Sequence, residues 1–140
     1  MIKIPLDKVE AIEPKRIKVN IGGVIFRGTL NDTKTALEIL KVIPFQSRGE
    51  VWGQEIYFYV PIRLENEAPV TGVKLGDIAY WPEGHALCLF LGPTPLSSST
   101  STLVAGAPVT VVGKLECSLG DFRKIRQFVV KIEKDTLPQK

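Results

Sequence analysis

Glu55, Tyr57 and Tyr59 alternate along the run QEIYFYVP, and Trp81, Glu83 and the single histidine, His85, crowd the turn YWPEGHA. A carboxyl held among aromatic rings has two chemical uses. Desolvation raises its pKa, which suits general acid or base work; alternatively it anchors a cationic or amide-bearing ligand. The plainer reading of Glu55 is a surface carboxylate paired with Arg27 or a lysine. His85 is the one side chain whose unperturbed pKa falls near neutrality, so it is the candidate base. A turn residue bonded to its own backbone is the competing role. Tyr57, Tyr80 and Trp81 offer flat apolar area with polar edges, fit for stacking on a ligand or for ordinary packing. Trp52 is expected at the rim of the fold.

Other chemistries lack their residues. Ser97 to Ser101 sit in no GxSxG-like turn, and GVIFRG and LGPTPLSSST lack the spacing of a phosphate-binding loop. Cys88 and Cys117 form no CxxC pair and stand in apolar stretches, where buried free thiols are expected and zinc is not. No cofactor is implied. Lys plus Arg number 18 against 15 Asp plus Glu, too small an excess for a dedicated nucleic-acid binder. The cluster Arg123, Lys124, Arg126, Lys131 and Lys134 reads as a charge-guarded strand edge. No apolar run approaches the ~20 residues of a membrane span. MIKIPLDKVEAIEPKR has no apolar signal region. With free thiols, these features lead us to expect a cytoplasmic protein with no membrane or nucleic-acid partner.

The elements that must hold these residues are mostly strands. KRIKVNI and VIFRGTL flank Gly22-Gly23 and predict a hairpin, Ile17–Ile21 with Val24–Leu30. NDTKTALEILKVI changes to helical spacing, with Asn31 or Asp32 as the expected N-cap and Pro44 as the stop. This helix is amphipathic, and an open barrel end is a fitting surface for its apolar stripe. In EVWGQEIYFYVPI, Trp52, Ile56, Phe58, Val60 and Ile62 fall on one side, and Val51, Glu55, Tyr57 and Tyr59 on the other. Arg63 to Leu75 reads as a polar connection. GDIAYW and HALCLFL predict two strands around Pro82-Glu83-Gly84. A Ser/Thr-rich loop is expected from Leu96 to about Ala107. Val109–Cys117 and Gln127–Glu133 predict the closing strands. About eight short strands, one helix and many turns make a mainly β chain, a closed barrel with one main α-helix capping an open end.

Three blocks in order, LNDTKTALEIL, WGQEIYFYVPI and LGDIAYWPEGHALCLFLGPTP, resemble the small prokaryotic cyclophilin-like protein family. The resemblance runs from Lys15 to Val130. It implies a single domain with a cyclophilin-type barrel and no settled activity. Met1 to Pro14 lies outside it and reads as an added strand or arm. As the resemblance implies, the groove lies outside the barrel, lined by the strand matching Gln54 to Ile62 and by GDIAYWPEGHALCLF. Trp81 and His85 would then wall a cleft, with Pro82 and Gly84 fixing the bend.

In true cyclophilins an arginine on the first of these strands donates to the prolyl nitrogen. It thereby eases rotation about a bond with a barrier of ~18–20 kcal/mol. QEIYFYVP has no arginine, and the Gln-Gly-Gly-Asp-like stretch that follows in the enzymes is missing too. Arg27, on a neighbouring hairpin, would be the substitute. The expected function is therefore binding of a small ligand or extended peptide in an external groove. Glu55 would be the anchor, Tyr57, Tyr80, Trp81, His85 and Arg27 would stand around it, and the Ser/Thr-rich loop would act as a lid. The alternatives are peptidyl-prolyl isomerisation, catalysis on a small amide-containing substrate, and homo-oligomerisation through an exposed barrel edge.

Overall fold

The computed structural model describes residues 15–136, so the expected N-terminal arm lies outside the described residues. The first hairpin joins β1 (Lys15–Ile21) to β2 (Val24–Leu30). Gly22 and Gly23 both take positive φ, 58° and 98°, as a two-residue turn matched to strand twist requires. Helix α1 (Lys34–Val42) follows. Its N-cap is Thr33, one or two residues later than expected, and the Thr33 hydroxyl accepts from the Ala36 N–H at 3.1 Å. Asn31 instead orders the approach, its Oδ1 accepting from the Thr33 N–H and hydroxyl. Ala36 and Ile39 on the helix are buried in one cluster with Ile17, Phe26, Ile56 and Leu89 of the strands. The apolar stripe therefore closes onto the barrel interior.

Next come β3 (Phe45–Trp52), β4 (Glu55–Tyr59), β5 (Val70–Val73), β6 (Asp77–Trp81), β7 (Ala86–Phe90), β8 (Leu103–Leu115) and β9 (Val129–Lys134). Hydrogen bonding orders them β2-β1-β9-β3-β4-β7-β6-β8, and β8 pairs back to β2 to close a ring of eight. β5, an unexpected strand inside the Arg63–Leu75 connection, pairs only with β8, outside that ring. None of the described helices is long and apolar enough to cross a membrane.

The ring closes where Gly28 lies opposite Leu115, and Leu30 opposite Gly113. A Cβ on Gly28 would run into the carbonyl oxygen of Lys114, and one on Gly113 into that of Thr29. Each strand thus presents a glycine to the other's backbone.

Two apolar layers share the sheet. The interior holds Ile56, Phe58, Ile78, Tyr80, Leu87 and Leu89, among others. On the outer face of β4, β7 and β6, a second cluster gathers Ala79, Cys88 and Phe90 beneath Val73, Leu103, Ala105 and Val109. β7 is buried along its whole length for this reason. A strand covered on both faces reads as an unbroken apolar run, as ALCLF does. The expected loop to Ala107 is strand from Leu103 onward. Its alternate residues Leu103, Ala105 and Val109 cover the outer layer, although Gly, Ala and Pro carry little strand signal.

The irregular segment 63–69 is tied at several points. The Leu64 N–H donates to the Tyr80 hydroxyl at 3.3 Å. The Glu67 carboxylate accepts from the Lys34 and Thr35 N–H groups at the helix start, at 3.1 and 3.0 Å. Asn66 Nδ2 donates to the Pro108 carbonyl at 3.0 Å, Asn66 Oδ1 accepts from Thr110 at 2.6 Å, and the Ala68 N–H donates to Thr110 Oγ1 at 3.0 Å.

Gly113→Ala is expected to destabilise the fold by about 1–3 kcal/mol, the usual penalty of overpacking. Gly72→Ala, whose new methyl meets nothing within 4 Å, should stay within about 0.5 kcal/mol of the parent in urea unfolding.

Candidate functional site

Alternation along β4 sends Ile56 and Phe58 into the barrel and Glu55 and Tyr57 outward. Pairing brings Cys88 of β7 opposite Tyr57, and Phe90 opposite Glu55. Trp81 ends β6, and its ring meets Tyr57 edge-on, with centroids 6.1 Å apart and planes at 84°. The turn behind it explains the crowded WPEGH. Pro82–Gly84 forms one tight helical turn. A side chain at Gly84 would strike the Trp81 indole, so the ring packs on bare backbone. His85 takes the left-handed conformation at φ 48°, which His and Asn tolerate better than most residues, and its N–H returns to the Pro82 carbonyl at 3.1 Å.

The β3–β4 turn carries Gly53 at φ 63°, and Trp52 pairs directly with Glu55. Cross-strand partners share a face. Trp52 therefore stands beside Glu55 on the outer side, not with Ile56 and Phe58 as a continuous strand would place it. Its ring rests on Gly106, where an added Cβ would approach to 3.2 Å.

These residues enclose a cavity of about 250 Å³ on the outer face of the barrel. Glu55, Tyr57 and Cys88 make its floor, Trp52 and Trp81 its sides, and Ala105, Gly106, Ala107 and Val109 its roof. Glu55 is only 5% exposed. Among the described residues, three buried side-chain polar atoms lack a partner: Glu55 Oε1, Trp81 Nε1 and His85 Nδ1. Two of them belong to residues lining this cavity.

Burial pushes the Glu55 carboxyl above its ordinary value of 4.5, while the neighbouring Cys88 thiol pulls the other way. Burial and the charge of Glu55 together hold Cys88 well above the usual thiol range. Cys88 therefore stays protonated and is a packing residue, not a thiolate nucleophile.

Of the six residues expected at the site, the structure brings together Glu55, Tyr57 and Trp81. Tyr80 turns into the barrel core, fully buried, with its hydroxyl donating to the Ile62 carbonyl at 3.3 Å. Adjacent strand residues face opposite ways, so Tyr80 and Trp81 do not line one cleft. His85 sits outside the cavity, its Nε2 3.3 Å from an Arg63 guanidinium nitrogen. Arg27 lies on β2, separated from β4 in the ring by β1, β9 and β3, and donates to Asp135 at 2.7 Å. No arginine lines the cavity, and Glu55 is in no ion pair among the described residues. Of the expected Ser/Thr-rich loop, Ala105 to Ala107 do cover the cavity, as strand, and its serines and threonines do not line it. Thr94 and Ser97 fasten the loop to Val104, and β8 forms the roof. Trp52, expected only at the rim of the fold, and the strand character of the roof were not read from the sequence. The signal for Trp52 was the two-residue Gly53-Gln54 turn.

A closed ring of eight strands, with a helix packed against its core and a cleft on its outer face, defines a cyclophilin-type fold. The chain belongs to the cyclophilin-like family, whose model matches residues 15–132. A hypothetical protein from Archaeoglobus fulgidus, determined in solution, is similar at 28% identity and a TM-score of 0.71, over 87% of this chain and 95% of that one. No curated protein matches the chain. Among the described residues, no group of three or more His, Cys, Asp or Glu is arranged to hold a metal ion.

The folded state holds the Glu55 proton more tightly than the unfolded chain, whose carboxyl returns toward 4.5. Stability contributed by that proton is lost as pH rises from the unfolded value through the folded one. Glu55→Gln has no proton to lose. Its melting temperature relative to the parent should therefore climb as pH rises above the ordinary carboxyl value of 4.5. A difference that is flat, or that falls with pH, would show the carboxyl to be solvated.

Proposed function

We propose that the protein binds a small ligand in the cavity between the outer face of β4, β7 and β6 and the overhanging start of β8. The observation that carries this reading is Glu55, a carboxyl 5% exposed and in no ion pair among the described residues, on a side chain lining a mostly apolar cavity. A buried group without a partner costs about 1–3 kcal/mol. A ligand that offers the Glu55 carboxyl a hydrogen-bond donor recovers part of that cost on binding. Ligand pockets run from ≈ 300 to 1,000 Å³, and about 250 Å³ lies just below that range. A small molecule, or one residue of a peptide, fits better than a long extended segment. The remaining aromatic and small apolar lining supplies the contact area.

A fragment screen read by NMR on the two indole N–H signals tests this. Hits should shift Trp81 in the parent and weaken at least fivefold in both Glu55→Gln, which replaces a carboxyl oxygen with an amide NH2, and Trp81→Phe, which removes the indole N–H and shrinks the wall. Hits that bind both variants as well as the parent would place the ligand site elsewhere.

A further inference from the structure

We propose that the cavity takes an uncharged, flat ligand of one or two fused rings, and that Trp52 sets the limit on its length. This rests on the ligand-binding reading above and adds the ligand's class and the residue that selects it.

Charge is decided by what the lining leaves out. No lysine or arginine lines the cavity, so an anion entering it finds no counter-charge. Glu55 is the one carboxyl there, and burial holds it toward its neutral form. The Cys88 thiol beside it is kept protonated by burial too. An ammonium would give up its water for rings, small side chains and a carboxyl that resists ionisation. An uncharged molecule avoids both costs.

Shape follows from the aromatic walls. The Tyr57 and Trp81 rings stand at 84° with centroids 6.1 Å apart, and the two form a corner. A flat ring laid against one of them meets the other edge-on, and aromatic groups favour both arrangements. A puckered hydrocarbon of the same size matches neither. Size follows from the volume. A cavity of about 150 Å³ holds benzene. This one offers about 250 Å³, which makes room for a second fused ring and not for a third in line.

Trp52 and Trp81 are the opposing sides, and they are held differently. The Trp81 indole packs on the backbone of Gly84, within its own turn. Trp52 reaches from the β3–β4 turn to the roof, where a Cβ added at Gly106 would come within 3.2 Å of its ring. Its indole thus bridges β3 and β8, two strands that form no ladder with each other. Truncating Trp52 removes one wall and leaves the pairings of both strands in place.

Probes built on one skeleton test each part on the full chain at neutral pH, read by the indole N–H signals of Trp52 and Trp81. 2-Naphthol is flat and uncharged, and its hydroxyl is the donor that the reading above asks for. It should bind about tenfold or more tighter than 2-naphthoate and than 2-naphthylmethylamine. It should bind about threefold or more tighter than decahydro-2-naphthol, which keeps the skeleton and loses the aromatic faces. 6-Phenyl-2-naphthol, one ring longer, should bind the parent about tenfold more weakly than 2-naphthol. Trp52→Ala, followed by the Trp81 signal, should close that gap while melting stays cooperative. If Trp52→Ala fails to fold, Trp52→Leu carries the same comparison. Equal binding of either charged probe overturns the assignment of an uncharged ligand. Equal binding of decahydro-2-naphthol overturns the aromatic corner. Entry of 6-phenyl-2-naphthol into the parent as readily as into the variant overturns the role of Trp52. Silence from the whole set overturns this proposal; hits of other chemistry in the fragment screen would then keep the ligand-binding reading, and an empty screen would end both.

Discussion

At the seam between β2 and β8 two backbones approach so closely that only a hydrogen fits at Gly28 and at Gly113. That contact fixes which part of β8 belongs to the ring. Thirteen residues are more than the closure uses. The seam takes Gly113 to Leu115, β6 pairs along Thr110 to Lys114, and a register shift lies between Ile78 and Ala79. The earlier half of β8 has no place in the ring. It pairs with β5 instead and lies over the outer face of the barrel. The cleft is thus a by-product of closing the barrel with an over-long strand.

The same overhang creates the setting in which a carboxyl becomes buried. Beneath it, β4, β7 and β6 are apolar on both faces, one side serving the interior and the other the outer layer. Glu55 is the acidic member of that outer face, at its Trp52 end. On a bare barrel it would be an ordinary solvated side chain. Roofed by Ala105 to Val109 it becomes a group whose charge is costly, and that cost makes its surroundings selective.

How much of this was legible in the sequence followed from periodicity. Two-residue alternation in QEIYFYVP was enough to place Glu55 and Tyr57 outside the barrel, and helical spacing located the helix. Alternation also separates Tyr80 from Trp81, which a reading by residue type overlooks. Long-range order was not legible. Nothing local says that three strands separate Arg27 from β4, because ring order is decided by which strands pair. β5 was hidden as VTGV inside a polar connection, and the start of β8 was hidden by its small residues. The Ala, Gly and Pro of that stretch have weak intrinsic strand preference, and they are strand through pairing with β5 and packing on the outer layer. Trp52 was misplaced because a two-residue turn reverses the chain within a run that reads as continuous.

The segment from Arg63 to Val70 forms no ladder of its own until its end, yet it reaches both extremities of the molecule. Glu67 holds the start of the helix, and Asn66 and Ala68 hold β8 at Pro108 and Thr110. The same short segment therefore ties the helix start to the strand that roofs the cleft, beside the direct bond from Asn31 Nδ2 to the Val111 carbonyl.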